Sequence, residues 1–385
     1  MTKHLRDLRP VYVVGIGRHQ FQAPSATPYV DLGLTAIRRA LDDAGISWRQ
    51  VDSTYTGTAM LGMASSRPML RHLGVNGAPM TQVENASASG SSAFRAACLD
   101  VASGISDVSL AVGVDKPSKI GPAQRDTGIP ELSAERVAPF THFALLADEY
   151  MRAHGATAEQ IAAVAVKNFS NAALNPYAQR QKAYSLEEVL GGPTISGIFT
   201  KLQCCPIGEG AAATLVVSGD VLDRLDLDRT RSVRVLASVQ RSEQLYGAKS
   251  FDAELTRETA HLAYEQAGIA PSDLDVVELH DAFTIEELQY LEAMGLADEG
   301  QAGTGLTAGE FDRGGRVAVN TSGGLLGSGH PIGPTGVAQV AEITEQIRGE
   351  AGARQHSGAR TGLAHMVGLG AVCVVHILQG SSTTP

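Results

Sequence analysis

The chain has 385 residues, of which 43% are hydrophobic and 19% charged, with a formal net charge of -10. Length and hydrophobic content predict a large globular core divided into two or three domain-sized units. The basic residues are scattered, never more than a pair together. With the acidic balance, this argues against nucleic acid as a partner and for a cytoplasmic protein.

At the N-terminus a charged segment turns apolar for only a few residues, too few for a signal peptide, and no later run is long enough to span a membrane. VYVVGIG (Val11–Gly17) predicts a buried strand ended by glycine. Leu32, Leu34, Ile37 and Leu41 then share one helical stripe, with Gly45 as the C-cap. STYTG follows as a second strand, so the order is β–α–β. VENASASGSSAFRAACLD (Val83–Asp100) reads as a strand, a sharp turn at Ser87 and a glycine-flanked helix. By residue type alone Ser87 is either an N-cap or a reactive hydroxyl. DVSLAVGV (Asp107–Val114) is the next apolar strand. Residues 116–205 break the pattern with two helical segments, the second stopped at Asn175-Pro176. They predict an insertion over the core, of the kind that forms a lid or pocket wall. GEGAAA (Gly208–Ala213) reads either as packing between halves or as ligand contact.

The opening order then returns. VRVLASV (Val233–Val239) is a strand, followed by helix, turn and strand through LDVVELH. ALDDAGISWRQVD (Ala40–Asp52) matches AYEQAGIAPSDLD (Ala263–Asp275) at Ala40/Ala263, at the two Ala-Gly-Ile triplets and at Asp52/Asp275. The place of the Ser87 turn is taken by VNTSGGLLGSGHPIGPTG (Val319–Gly336), whose glycines suggest close backbone approach to a substrate. It is not a Walker motif, because no Gly-Lys-Ser/Thr follows. AVCVVHIL (Ala371–Leu378) closes the second copy. The expected architecture is therefore α/β, with two related halves at 1–225 and 226–385 and the insertion 116–205 inside the first. The four cysteines, Cys98, Cys204, Cys205 and Cys373, form no CxxC and lack zinc-ligand spacing, so reduced thiols are expected.

Five segments, VENASASGSSA, HGATAEQIAAVAVKNFSNAALNP, GEGAAA, ELHDAF and VNTSGGLLGSGHPIGPTG, together resemble the thiolase superfamily. The resemblance covers nearly the whole chain. It lies in the branch of sterol-carrier-protein-type thiolases and bacterial lipid-transfer acetyltransferases. It implies a five-layered α-β-α-β-α thiolase fold, a homodimer or tetramer, and coenzyme A thioesters as substrates with no permanently bound cofactor. It also implies a possible companion subunit with an OB-fold and a zinc ribbon.

Carried over position by position, the resemblance puts Ser87 where such thiolases have their nucleophilic cysteine. His330, in GSGHPIG, matches the histidine that activates the nucleophile. His280, in ELHDAF, becomes a substrate-facing group for the thioester oxygen. Gly370 is a candidate backbone donor to an oxyanion hole, and Tyr246 a candidate for the pocket wall. The chain departs from the pattern at its thiols. Ser87 replaces the nucleophilic cysteine, either naturally or by a Cys→Ser substitution. Ala282 replaces a second cysteine, and His365 and Met366 occupy the C-terminal cysteine region. Cys98 lies too far along its helix to stand in.

The leading expectation is a thiolase-type acyltransferase, acting in the Claisen or retro-Claisen direction on acyl-CoA. The alternatives are a cysteine-independent aldolase or retro-aldolase on β-hydroxyacyl-CoA, and a non-catalytic acyl-CoA-binding subunit.

Overall fold

The computed structural model describes residues 4–117, 139–246, 251–368 and 372–380. Twelve strands occur among them: β1 Val11–Arg18, β2 Ser53–Gly57, β3 Met80–Val83, β4 Val108–Asp115, β5 Thr194–Ser196, β6 Phe199–Thr200, β7 Gly210–Ser218, β8 Val233–Ser242, β9 Val276–Glu278, β10 Ala318–Val319, β11 Thr361–Gly368 and β12 Val372–Gly380. Among the described residues, strands β5 and β6 pair only with each other. The other ten are connected in the order β10-β9-β11-β12-β8-β1-β7-β4-β2-β3.

That order reads the same from either end. At one end β2 runs parallel to β3 and β4, and at the other β9 runs parallel to β10 and β11. The remaining neighbours are antiparallel. The two five-stranded parts meet at a short seam, where β1 meets β8 at Tyr12↔Arg234 and Val13↔Val233. The β–α–β repeat in the sequence thus reappears as a repeat of strand order and direction.

Each half contributes one outer and one central helix. Tyr29–Ala44 buries Leu32, Leu34, Ile37, Ala40 and Leu41, and ends at Gly45 with φ 65. A Cβ on Gly17 of β1 would stand 2.1 Å from the carbonyl oxygen of Ala36, so glycine is required for this helix to lie so close to the strand. Phe251–Ala267 is its counterpart on β8 and β12. The central helices, Ser89–Ser103 and Thr335–Arg348, pack on each other and on strands of both halves. Their crossing is tight, since a Cβ on Gly336 would meet the Ser91 hydroxyl oxygen at 2.1 Å. Small residues at this crossing bring the N-terminal ends of both helices together, and the site is built there.

Within the insertion, Pro139–His154 and Ala158–Ala172 are helices. The second begins with a capping box, in which Thr157 accepts from the Gln160 amide at 3.2 Å and Gln160 returns to the Thr157 amide at 3.0 Å. Phe143 of the first stacks on Phe283 with ring centroids 4.6 Å apart, so this helix sits over the HDAF loop. The segment at Gly208–Ala213 leads into β7. Ala211, Ala212 and Ala213 are fully buried there, and Glu209 pairs with Lys116 at 2.7 Å, which is packing.

Candidate active site

Ser87 sits between β3 and the Ser89–Ser103 helix. The backbone reverses at Ala86, which has φ 47. A left-handed alanine costs roughly 1–2 kcal/mol, and local bonds hold it in place. The Ala86 carbonyl accepts from the Ser89 hydroxyl (2.6 Å) and amide (3.1 Å), while the Glu84 carboxylate accepts from the Ala86 amide (2.6 Å). The N-cap is Ala88, not Ser87. The capping reading of Ser87 therefore falls, and its hydroxyl is turned elsewhere.

It meets His330. Ser87 Oγ lies 3.0 Å from His330 Nε2, across 243 residues of chain. The other ring nitrogen, Nδ1, is 3.0 Å from Thr335 Oγ1. That hydroxyl is 2.6 Å from the Pro331 carbonyl, which can only accept, so its proton points there. Thr335 must then accept from His330 Nδ1–H. This leaves Nε2 bare and facing Ser87, as a base requires. Burial, and secondarily the charge of His280, holds the His330 imidazole well below its ordinary range, so the ring is neutral at pH 7.

His280 lies just beyond β9, buried, with its ring edge-on to that of His330 at a centroid separation of 5.4 Å. Its Nδ1 is 3.0 Å from Glu286 Oε1. Glu286 in turn accepts from the Tyr290 hydroxyl (3.1 Å) and the Phe283 amide (2.8 Å), which fixes the carboxylate. His280 Nε2 is buried and has no hydrogen-bond partner among the described residues. With Nδ1–H on Glu286, Nε2 can donate only when the ring carries both protons. The pair can therefore offer one base and one charged donor to the same small region.

The loop that carries His330 is packed by protein. A Cβ on Gly323 or Gly327 would strike Ala172, one on Gly324 the Asp281 carboxylate, and one on Gly329 the Gln179 side chain, all at 2.3–2.6 Å. The expectation that these glycines admit a substrate is corrected here. They admit the Ala158–Ala172 helix and its neighbours. Asp281 pins the same loop, accepting from the Leu325 amide at 2.6 Å and from Asn168 Nδ2 at 2.8 Å.

Residues 11–184 match the thiolase N-terminal domain, and residues 237–379 a thiolase C-terminal domain-like unit. Sterol carrier protein 2 of Homo sapiens is 37% identical over 97% of this chain and 72% of its own length. The chain belongs to the thiolase superfamily. The benzoylsuccinyl-CoA thiolase subunit BbsB of Thauera aromatica is 36% identical, over 94% of this chain and 95% of its own. A solved Ltp2-ChsH2(DUF35) aldolase superposes with a TM-score of 0.85 at 25% identity, covering 98% of this chain and 99% of that one. The fold is the thiolase fold, and relatives named acetyl-CoA acetyltransferase and benzoylsuccinyl-CoA thiolase place the chain in an acyltransferase family.

In this thiolase-superfamily chain the structure brings Ser87, His330 and His280 together. Tyr246 is placed with other partners, its hydroxyl donating to Glu258 Oε2 at 3.2 Å, and Glu258 also faces Arg241 at 3.7 Å. Gly370 lies outside the described residues. Burial pushes up the thiols of Cys98 and Cys205, that of Cys204 to about 11 and that of Cys373 to about 12. None is a ready thiolate at neutral pH. Sequence reading did not single out Glu286 or Thr335. The signal for Glu286 was its spacing six residues after His280, and Thr335 stood in the GPTG turn without a visible partner.

Proposed function

We propose that this chain is an acyl-CoA-dependent carbon–carbon bond enzyme, a thiolase-type acyltransferase with Ser87 as nucleophile and His330 as its base. The observation that carries the reading is the 3.0 Å contact between Ser87 Oγ and a His330 Nε2 left unprotonated by the bond to Thr335. In the first step Ser87 Oγ bonds to the thioester carbonyl carbon while His330 Nε2 takes the hydroxyl proton. The carbon–sulfur bond breaks, and that proton leaves with the coenzyme A thiolate. This yields an ester on Ser87 and free coenzyme A. In the second step a base removes the α-proton of another acyl-CoA. The resulting enolate carbon attacks the ester carbonyl and Ser87 Oγ departs, regaining a proton. His280 Nε2–H supports the enolate oxygen, a contact of the kind worth about 3–4 kcal/mol when removed.

A second reading has specific support. The Ltp2-ChsH2(DUF35) structure is named an aldolase, and a retro-aldol step needs an enolate site and a base but no nucleophile. Intact mass spectrometry of the Ser87 form with acyl-CoA, alongside the turnover of Ser87→Ala, separates the two. The acyltransferase reading expects an acyl adduct on Ser87 and loss of turnover in the variant. Full activity of Ser87→Ala would remove the acyl-enzyme and leave the aldolase.

Two assembly proposals follow from the family resemblance. The outer edge of β3, where Met80 is 50% exposed, is expected to pair with a second copy, because bare edges invite association. A monomer in sedimentation at micromolar concentration would contradict this. A companion subunit with an OB-fold and zinc ribbon is expected to complete the acyl-CoA site. The same activity with and without such a subunit would contradict that.

A further inference from the structure

We propose that Asp115 is a positioning residue that holds the His330 loop at working distance from Ser87. The inference rests on the Ser87–His330 reading above. Asp115 ends β4 and is fully buried. Its carboxylate gathers four donors. Oδ1 accepts from the Thr58 hydroxyl (2.6 Å) and the Met60 amide (2.9 Å), and Oδ2 from the Ala59 amide (3.0 Å) and the Gly333 amide (2.6 Å). Three of these donors belong to the turn after β2, and the fourth to the loop between His330 and Thr335. The carboxylate therefore ties a first-half turn to a second-half loop.

The loop is also seated in a cradle of first-half glycines. A Cβ on Gly90 would stand 2.3 Å from the Gly333 carbonyl oxygen, and one on Gly113 would stand 2.5 Å from it. In the other direction, a Cβ on Gly333 would stand 2.6 Å from the Gly57 carbonyl oxygen and 2.8 Å from Asp115 Oδ2. Backbone rests on backbone here, so the seat is rigid. Gly90 belongs to the helix that follows Ser87, and Thr335 receives the His330 Nδ1–H. Nucleophile and base are thus both anchored beside the cradle, and Asp115 supplies the hydrogen bond that closes it.

A charged carboxylate suits this place because every group around it donates. Burial raises its pKa and those four bonds oppose the rise. Asparagine would keep the shape but turn an N–H₂ group toward amides that also donate. The loop would then lift, and a displacement of about 1 Å can cost about a hundredfold in rate.

The test uses a readout that lost stability alone does not move. In a Ser87→Cys background, the iodoacetamide alkylation rate against pH reports the thiol's contact with His330. The parent thiol should titrate below the free value of about 8.5. Adding Asp115→Asn should shift the profile upward by about a unit, which lowers the alkylation rate at pH values below the parent's midpoint by about tenfold. Asp100 is a buried carboxylate toward the far end of the same helix, holding Ser53 and Ser106. Asp100→Asn should leave the profile in place. If Asp115→Asn does not fold, Gly333→Ala should produce the same upward shift. A folded Asp115→Asn or Gly333→Ala protein with the parent's profile overturns the proposal. A Ser87→Cys thiol that titrates like free cysteine overturns the Ser87–His330 reading itself, and the positioning role with it.

Discussion

The two halves make the same connection in different ways. In the first, β3 passes to its central helix through a turn of a few residues, Glu84 to Ala88, and the chain reverses at Ala86 with φ 47. In the second, β10 passes to its central helix through residues 320–334, and the chain reverses at Asn320 with φ 54. The short connection can only present a side chain near its own helix start, and it presents Ser87. The long one has enough chain to cross the seam between the halves, and it delivers His330. The repeat places two equivalent connections face to face, and unequal length puts Ser87 on the short turn and His330 on the long arm that reaches it.

The largest test of this contrast is His330→Ala. If the long connection exists to carry a base, turnover should fall by about 10²–10⁴ while fold and acyl-CoA binding persist. The pH profile adds a sign. His330 sits well below its ordinary value, so its neutral form is kept at and below pH 7. The acid limb of kcat/KM in the parent should then lie below pH 6.5, as protonation of Nε2 removes the base. An acid limb above 6.5, or activity of His330→Ala within a few-fold of the parent, would assign the base elsewhere.

The next test compares the two reversals. The Asn320 side chain is fully used, with Oδ1 accepting from the Leu279 amide at 2.9 Å and Nδ2 donating to Glu287 at 2.8 Å. Asn320→Gly keeps the backbone but strands the buried Leu279 amide and removes one donor from Glu287, which keeps Asn168 and Lys167, and should cost about 2 kcal/mol in denaturant unfolding. The Ala86 side chain is a methyl group with no such bonds. Ala86→Gly relieves a left-handed alanine and loosens the unfolded chain, two effects of similar size. It should change stability by less than about 1 kcal/mol. Equal losses in the two variants would show that the reversals do the same work.

The smallest expected effect belongs to Thr335→Val. It removes the acceptor that holds the His330 proton on Nδ1, worth about 1 kcal/mol for one neutral hydrogen bond, or about fivefold in kcat. Thr335→Ser should restore it. A kcat unchanged in Thr335→Val would show that the Ser87 contact alone sets the tautomer.

Much of the fold was legible because its signals are local. Apolar strand runs, the stripe Leu32–Leu34–Ile37–Leu41, the Gly45 cap and the two Ala-Gly-Ile triplets each act within a few residues, and the repeat shows at short range. Ser87 and His330 were legible through motif resemblance. Their roles were not legible from residue type, since Ser87 fits an N-cap pattern until the cap is seen to be Ala88. The glycine run was misread for a related reason. Glycine announces a close approach but not what approaches, and here it is Ala172, Asp281 and Gln179.

The sequence by itself determined the strands, the helices, their duplicated order and the residue types available for chemistry, because propensity, periodicity and turn geometry are short-range. Only the tertiary structure decided which residues work together. The Ser87 contact to His330 spans 243 residues and the Asp115 bond to Gly333 spans 218. Such contacts depend on how closely two central helices cross, and that distance is set by packing around Gly90, Gly333 and Gly336 rather than by any local preference.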